Sequence, residues 1–221
     1  MALTLKQARS VYNRIGRFQD WQAFYEDATT DRLLDLADLA ADQTIFEFGC
    51  GTGRLAARLL GELPESVHYL GVDLSPVMIN LAANRLSPWV ERAEVVLVDG
   101  SLPLPANDGF ADCVLSTFVF DLLDADYARA VLDDLRRILT PGGRLCLASL
   151  THGDGWLERA VSQAWNGLWN VAPQLVGGCR PVAVGALLGS AWQIQHHSQV
   201  HQWGLVTDVV IAVPSDRPDE G

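Results

Sequence analysis

From Thr44 onward, short runs of apolar residues alternate with segments whose apolar residues recur every three or four positions. The runs Thr44–Phe48, Val67–Val72, Ala93–Val98, Phe110–Ser116 and Gly143–Leu150 have strand length and few polar residues. Such runs mark strands covered on both faces of a sheet. The segments near 54–63, 76–86 and 125–139 carry helical spacing, and the "TPGG" at Thr140–Gly143 is expected to end the last of them. Strands alternating with helices predict parallel pairing through right-handed crossovers, an α/β doubly wound fold.

Both flanks differ from this middle. Residues 1–41 are predicted helical, with Leu33, Leu34, Ala37 and Ala40 at helical spacing in "DRLLDLADLAAD". A further helix is expected from about Trp156 to Trp169, then a loop and a short helix. Strand patterns near 192–200 and 205–213 follow, separated by too few residues for a parallel crossover. They predict an antiparallel hairpin. No repeat or low-complexity linker interrupts the chain, so one domain of 221 residues is expected.

Composition narrows the function. Apolar residues make up 49% and charged residues 19%, as in a folded globular chain. Sixteen Lys plus Arg against 27 Asp plus Glu give a net charge of −11, which disfavours nucleic acid and anionic lipid as partners. No run of 18 continuously apolar residues occurs, and "MALTLKQARS" lacks the apolar stretch of a signal peptide. Cys50, Cys113, Cys146 and Cys179 lie 63, 33 and 33 residues apart, with no Cys-x-x-Cys pair. Neither a zinc site nor a disulfide framework is expected, and a reducing, cytoplasmic compartment fits. His196 and His197 are adjacent, so on a strand they face opposite sides and cannot ligate one ion together, and His196 and His201 are expected on either side of a turn, so no metal site is expected.

The chemistry gathers where the first strand meets a helix. In "EFGCGTGRL", Glu47 precedes glycines at 49, 51 and 53. Three glycines at alternate positions permit a tight turn and a ligand touching the backbone. Neither Gly-x-Gly-x-x-Gly nor a Walker loop is matched: the sixth position from Gly49 is Arg54, and no Gly-Lys-Ser/Thr follows. Asp73 ends the second strand and Asp99 the third. Each either caps the next helix or accepts hydrogen bonds from a ligand, Asp73 from ribose hydroxyls and Asp99 from an adenine amine.

Over residues 44–150 the chain resembles the class I S-adenosylmethionine-dependent methyltransferases, in particular small-molecule enzymes similar to those that methylate quinones and lipids. "EFGCGTG", "GVDLSPVMI", "VVLVDGSLPLP", "FADCVLSTFVFDLL" and "LRRILTPGGRLCLASL" carry the resemblance. It implies a seven-stranded sheet, mostly parallel, with an antiparallel last strand, and S-adenosyl-L-methionine as cofactor. Glu47, Gly49, Gly51 and Gly53 would hold the methionine part, Asp73 the ribose, and Asp99 with Gly100 the adenine. Met78 would pack near the adenosine. Cys50, Leu74 and Ser116, inside the same motifs, complete the implied cofactor set.

An acceptor site is less legible. Many relatives similar to this chain have His where Asp121 stands in "FVFDLL". Asp121 is either a base near the acceptor or the N-cap of the next helix, and His152, after the fifth strand, is either a second base or a solvated loop residue. The 156–169 helix, with Trp156, Trp165 and Trp169, either packs in the core or walls a greasy acceptor pocket. Tyr12, Trp21 and Tyr25 are placed to close a lid over the cofactor. The expected activity is methyl transfer to a small apolar or aromatic acceptor. The competing readings are a non-catalytic cofactor-binding protein of the same fold and a nicotinamide oxidoreductase, the latter disfavoured by Arg54 and the final hairpin.

Overall fold

The computed structural model describes residues 5–16, 23–153, 155, 167 and 179–215. Helices α1 (Leu5–Ile15) and α2 (Ala23–Ala37) precede β1 (Thr44–Phe48), α3 (Arg54–Glu62), β2 (His68–Asp73), α4 (Pro76–Leu86) and β3 (Ala93–Leu97). Then come β4 (Ala111–Thr117), α5 (Ala125–Ile138), β5 (Leu139–Thr151), the short α6 (Val184–Leu187), β6 (Trp192–Gln202) and β7 (Leu205–Pro214). The strands form one seven-stranded sheet in the order β3-β2-β1-β4-β5-β7-β6. β1 to β5 are parallel, and β7 runs antiparallel to both β5 and β6. The doubly wound sheet with its reversed strand and final hairpin is as the sequence predicts.

Side chains along each central strand alternate between two cores. Ile45, Cys113, Leu115, Cys146 and Val209 face a layer containing Leu33, Ala56, Leu59 and Ala82 of α2, α3 and α4. Phe46, Val114, Leu145, Leu147 and Val210 face Val131, Leu132 and Leu135 of α5 and Val184 of α6. The strands are apolar on both sides because helices cover both sides.

Capping residues set the helix starts. Ser75 accepts from the Met78 N–H at 3.2 Å to begin α4, with Pro76 in its first turn. Asp124 accepts from the Tyr127 N–H at 3.0 Å to begin α5. Each satisfies an orphan donor of the first turn. The cap of α5 is therefore Asp124 and not Asp121. At the other end, α5 stops at Ile138 as expected, but Thr140–Gly143 is no loop. It forms the first part of β5, where the register against β4 shifts between Ala111 and Cys113. The shift accommodates a proline and two glycines that a regular ladder would reject.

Arg144 of β5 fixes α2 over the sheet. Its guanidinium donates to the Ala37 and Asp38 carbonyls at 2.6 and 2.9 Å and to both Asp42 oxygens at 3.1 and 2.8 Å. A cation at a helix C-terminus meets orphan carbonyls and the negative end of the dipole. Burial nonetheless pushes the Asp42 carboxyl above its usual range, against the lowering effect of Arg144.

Candidate functional site

The strand order reverses between β1 and β4, which opens a crevice at the carboxyl ends of the strands. The glycine loop lines it. The Gly49 and Cys50 N–H groups both donate to the Val72 carbonyl, at 2.8 and 3.0 Å, which ties the loop to β2. Gly49 has φ +81°, and a Cβ there would lie 2.3 Å from Val119 Cγ2, so the loop presses on the segment after β4. Gly51 is the opposite case. A Cβ there would meet nothing within 4 Å, which leaves its backbone bare to the crevice.

Asp73 holds this loop from β2. Its Oδ2 accepts from the Gly51 N–H at 3.0 Å, and its Oδ1 accepts from the Ser75 N–H at 2.7 Å. Burial raises its pKa, and the backbone donors only partly offset that. Each oxygen keeps acceptor capacity toward the crevice. Ser75 in turn donates to Asn13 Oδ1 at 2.7 Å, linking α4 to α1.

Glu47 is buried at the crevice floor and accepts the Tyr69 hydroxyl at 2.5 Å. Burial pushes its pKa to about 7, with Tyr69 pulling it down and Asp73 pushing it up. Gly71 makes this pair possible. A Cβ at Gly71 would sit 2.5 Å from Tyr69 Oη and 2.8 Å from Cys50 Cβ, so the phenol lies across the bare backbone of β2 to reach the carboxylate.

The cavity has a volume of about 220 Å³. Glu47, Gly49, Cys50, Gly51, Asp73, Leu74 and Gly100 line it. Four other residues of the expected cofactor set stand beside it. Gly53 is the left-handed N-cap of α3, Met78 is fully buried under α4, and Ser116 donates to the Phe48 carbonyl at 2.9 Å. Asp99 is exposed and accepts from Ser101 N and Oγ at 2.9 and 2.6 Å, bonds that hold its carboxyl below the usual range.

The acceptor candidates separate. His152 is exposed and does not line the cavity. Asp121 is fully buried behind the wall formed by Val119 and Leu122, its Oδ2 accepting from the Leu150 N–H at 3.3 Å. Burial lifts its pKa to about 7. Tyr12 lines the cavity. Trp21, the side chain of Tyr25, and Trp156, Trp165 and Trp169 lie outside the described residues.

Several lining residues escaped the sequence reading. Glu26, Asp27 and Thr30 of α2 face the cavity, with Arg54 of α3 paired to Glu26 at 3.7 Å and to Asp27. Tyr127 lines the far end and donates to the Gly100 carbonyl at 2.9 Å. Phe118 holds φ +57°, a left-handed conformation costly for an aromatic residue, at the cavity wall. None has a local motif; the helical spacing of α2 says only that one side packs inward. The final hairpin's histidines form separate contacts, His197 with Asp208 at 2.9 Å and His196 with Ser198 at 3.0 Å.

The sequence profile of a family described as a methyltransferase domain matches residues 45–143. A malonyl-[acyl-carrier protein] O-methyltransferase of Hahella chejuensis is 36% identical over 139 residues, covering 62% of this chain and 46% of that relative. The chain spans about half the length of curated relatives it matches. The [4+2]-cyclase SpnF superposes with a TM-score of 0.73 over 97% of this chain and 98% of SpnF, at 16% identity. The N-methyltransferase NodS of Bradyrhizobium japonicum, in complex with S-adenosyl-L-homocysteine, superposes with a TM-score of 0.67 over 89% and 92%, at 19% identity. At these identities the superpositions speak to the fold.

Proposed function

We propose that this chain, which belongs to the class I S-adenosylmethionine-dependent methyltransferases, binds S-adenosylmethionine in the glycine-loop cavity and serves methyl transfer to a small acceptor with an apolar or aromatic body. The observation that carries the proposal is the bare backbone of Gly51 beside the Asp73 carboxylate, a cradle that a side chain would fill. Glu47, Gly49, Cys50, Gly51 and Gly53 would border the methionine part, Asp73 and Leu74 the ribose, and Asp99 with Gly100 the adenine. Met78 and Ser116 would support that surface from behind.

When bound, the cofactor supplies an activated methyl group on a sulfonium. The chain's own residues then orient the acceptor, exclude water and take up a proton where one is released, and orientation alone can supply roughly 7–11 kcal/mol of barrier reduction. Phe118, Val119, Leu122 and Leu123 offer the acceptor an apolar wall, consistent with small-molecule sites in general. In this reading the chain works as one domain. Residues 1–41, described at 5–16 and 23–41, are assigned the role of a lid, 42–150 that of the cofactor half, and 151–221, described at 151–153, 155, 167 and 179–215, that of the acceptor side. The exposed His152 takes no part.

Calorimetric titration with S-adenosylhomocysteine and with NAD tests the cofactor assignment. Binding of the former and a far weaker response to the latter are expected, and the reverse overturns it. The likeness to SpnF favours a second reading, in which the fold holds its cofactor without transferring a methyl group. A screen of aromatic, quinone-like and lipid-like acceptors with labelled methyl donor separates the two, since only the first yields labelled product.

A further inference from the structure

Tyr69 is a buried phenol near the start of β2, packed in one core layer with Ile45, Cys50 and Ala56. Its ring lies over Gly71, where a Cβ would come within 2.5 Å of Tyr69 Oη and 3.0 Å of Cε1. Residues two apart on a strand share a face, so a side chain at position 71 would block the ring's path. With that backbone bare, the phenol leans along β2 toward the carboxyl end of the sheet. Glu47 stands there, in register with Gly71 on the neighbouring β1, and the hydroxyl donates to its Oε2 at 2.5 Å.

This bond decides which part of Glu47 meets a ligand. A carboxylate has two oxygens with which to accept. Tyr69 takes Oε2 from within the core, and Glu47 lines the cavity, so Oε1 is the oxygen presented there. Donation from the phenol also favours the ionised form of a carboxylate that burial drives toward neutrality. Tyr69 keeps its own proton, since burial and the adjacent Glu47 lift it well above its ordinary range. An aimed anion with its donor fixed behind it suits a cationic group.

Resting on the assignment of Glu47 to the methionine part of S-adenosylmethionine, we propose that Tyr69 is a positioning residue for cofactor selection. Laid across Gly71, it holds Glu47 so that the cavity prefers ligands carrying the amino acid's ammonium. Tyr69 does not line the cavity, so it acts through Glu47.

The other charged groups at the cavity do not duplicate this role. Asp73 accepts from the Gly51 and Ser75 N–H groups and is assigned to the ribose. Glu26 and Asp27 of α2 are paired with Arg54 of α3. Arg9 and Arg58 are themselves cations. Burial lifts the Cys50 thiol well above its ordinary range, so neither it nor Tyr69 titrates near neutrality.

Calorimetry with S-adenosylhomocysteine and with 5′-methylthioadenosine tests the proposal, because the second ligand keeps the adenosine and sulfur but lacks the amino acid. Tyr69→Phe, which removes one oxygen, should weaken S-adenosylhomocysteine about 10-fold or more and leave 5′-methylthioadenosine within about twofold. Equal weakening of both ligands, or of neither, overturns the proposal, since a purely structural phenol would not tell them apart. In wild type the preference for S-adenosylhomocysteine should grow as pH rises from about 5.5 to 7.5, because Glu47, pushed to about 7, then loses its proton. Asp73 meets the ribose of both ligands and cancels in the ratio. In Tyr69→Phe the rise should move to higher pH, the donor that favours the anion being gone. If that variant does not fold, wild type labelled with 3-fluorotyrosine, whose phenol is the stronger donor, takes its place. The rise should then move to lower pH, and an unmoved profile overturns the proposal. Failure of wild type to bind either ligand rejects the methyltransferase reading itself, whereas intact binding with an unchanged ratio rejects this inference alone.

Discussion

Replacing Glu47 by Gln should flatten the pH dependence of folding stability. Glu47 is buried, and its pKa rises from 4.5 to about 7 on folding. The native state therefore holds a proton that the unfolded chain has released between those values. This contribution is fully present below pH 4.5, falls as pH rises, and is gone above about 7. A shift of that size corresponds to about 3 kcal/mol. The glutamine side chain in Glu47→Gln keeps an oxygen to accept from the Tyr69 hydroxyl but has nothing to titrate. Urea unfolding followed by tryptophan fluorescence at pH 5, 6, 7 and 8 should show wild type losing about 2.5 kcal/mol more than Glu47→Gln across that range. Asp121, lifted to about 7 by the same cause, keeps the variant's profile from being wholly flat. At pH 8 the variant should equal or exceed wild type, since no charge is left buried at this position. Parallel profiles for the two proteins would refute the reasoning.

Asp73→Ala should weaken S-adenosylhomocysteine binding by about 1.5–3 kcal/mol by calorimetry. It should also lower the melting temperature, because Asp73 receives the Gly51 and Ser75 N–H groups; an unaltered melting point would contradict that second role. Gly71→Ala should destabilise by about 1–3 kcal/mol through overpacking on Tyr69 and Cys50, and adding Tyr69→Phe should recover part of the loss by removing the closest atom. Arg144→Ala should cost about 3 kcal/mol or more in chemical denaturation, because it strands the buried Asp42 and the last carbonyls of α2. Arg58→Ala, which breaks pairs with the exposed Asp31 and Glu62, should cost less than about 1 kcal/mol at any salt concentration.

What could be read in advance followed from local spacing. Glu47 and the three glycines announce a ligand loop because strand, turn and helix are contiguous in the chain, and the short link between β6 and β7 dictates their antiparallel pairing. The partners of those residues could not be read the same way. Tyr69 reaches Glu47 from 22 positions away, and only cross-strand register brings them together. The Arg180 N–H meets the Asp121 carbonyl from a segment distant in the chain, and Glu26 enters the cavity on a helix whose spacing says nothing about which wall it will form. The "TPGG" run misled in part, because its breaking of α5 was legible and its absorption into a register shift of β5 was not.

The order β5-β7-β6 has a consequence for synthesis. β6 leaves the ribosome before β7, yet it reaches the sheet only through β7. A nascent chain that has reached Gln202 can already pair β1 to β5 and shape the glycine loop, but β5 still presents an open apolar edge. Val209, Val210 and Ile211, which will cover Cys146, Leu147 and Ala148, are among the next residues made. Ribosome pausing within this window would expose that edge to other nascent chains and to chaperones.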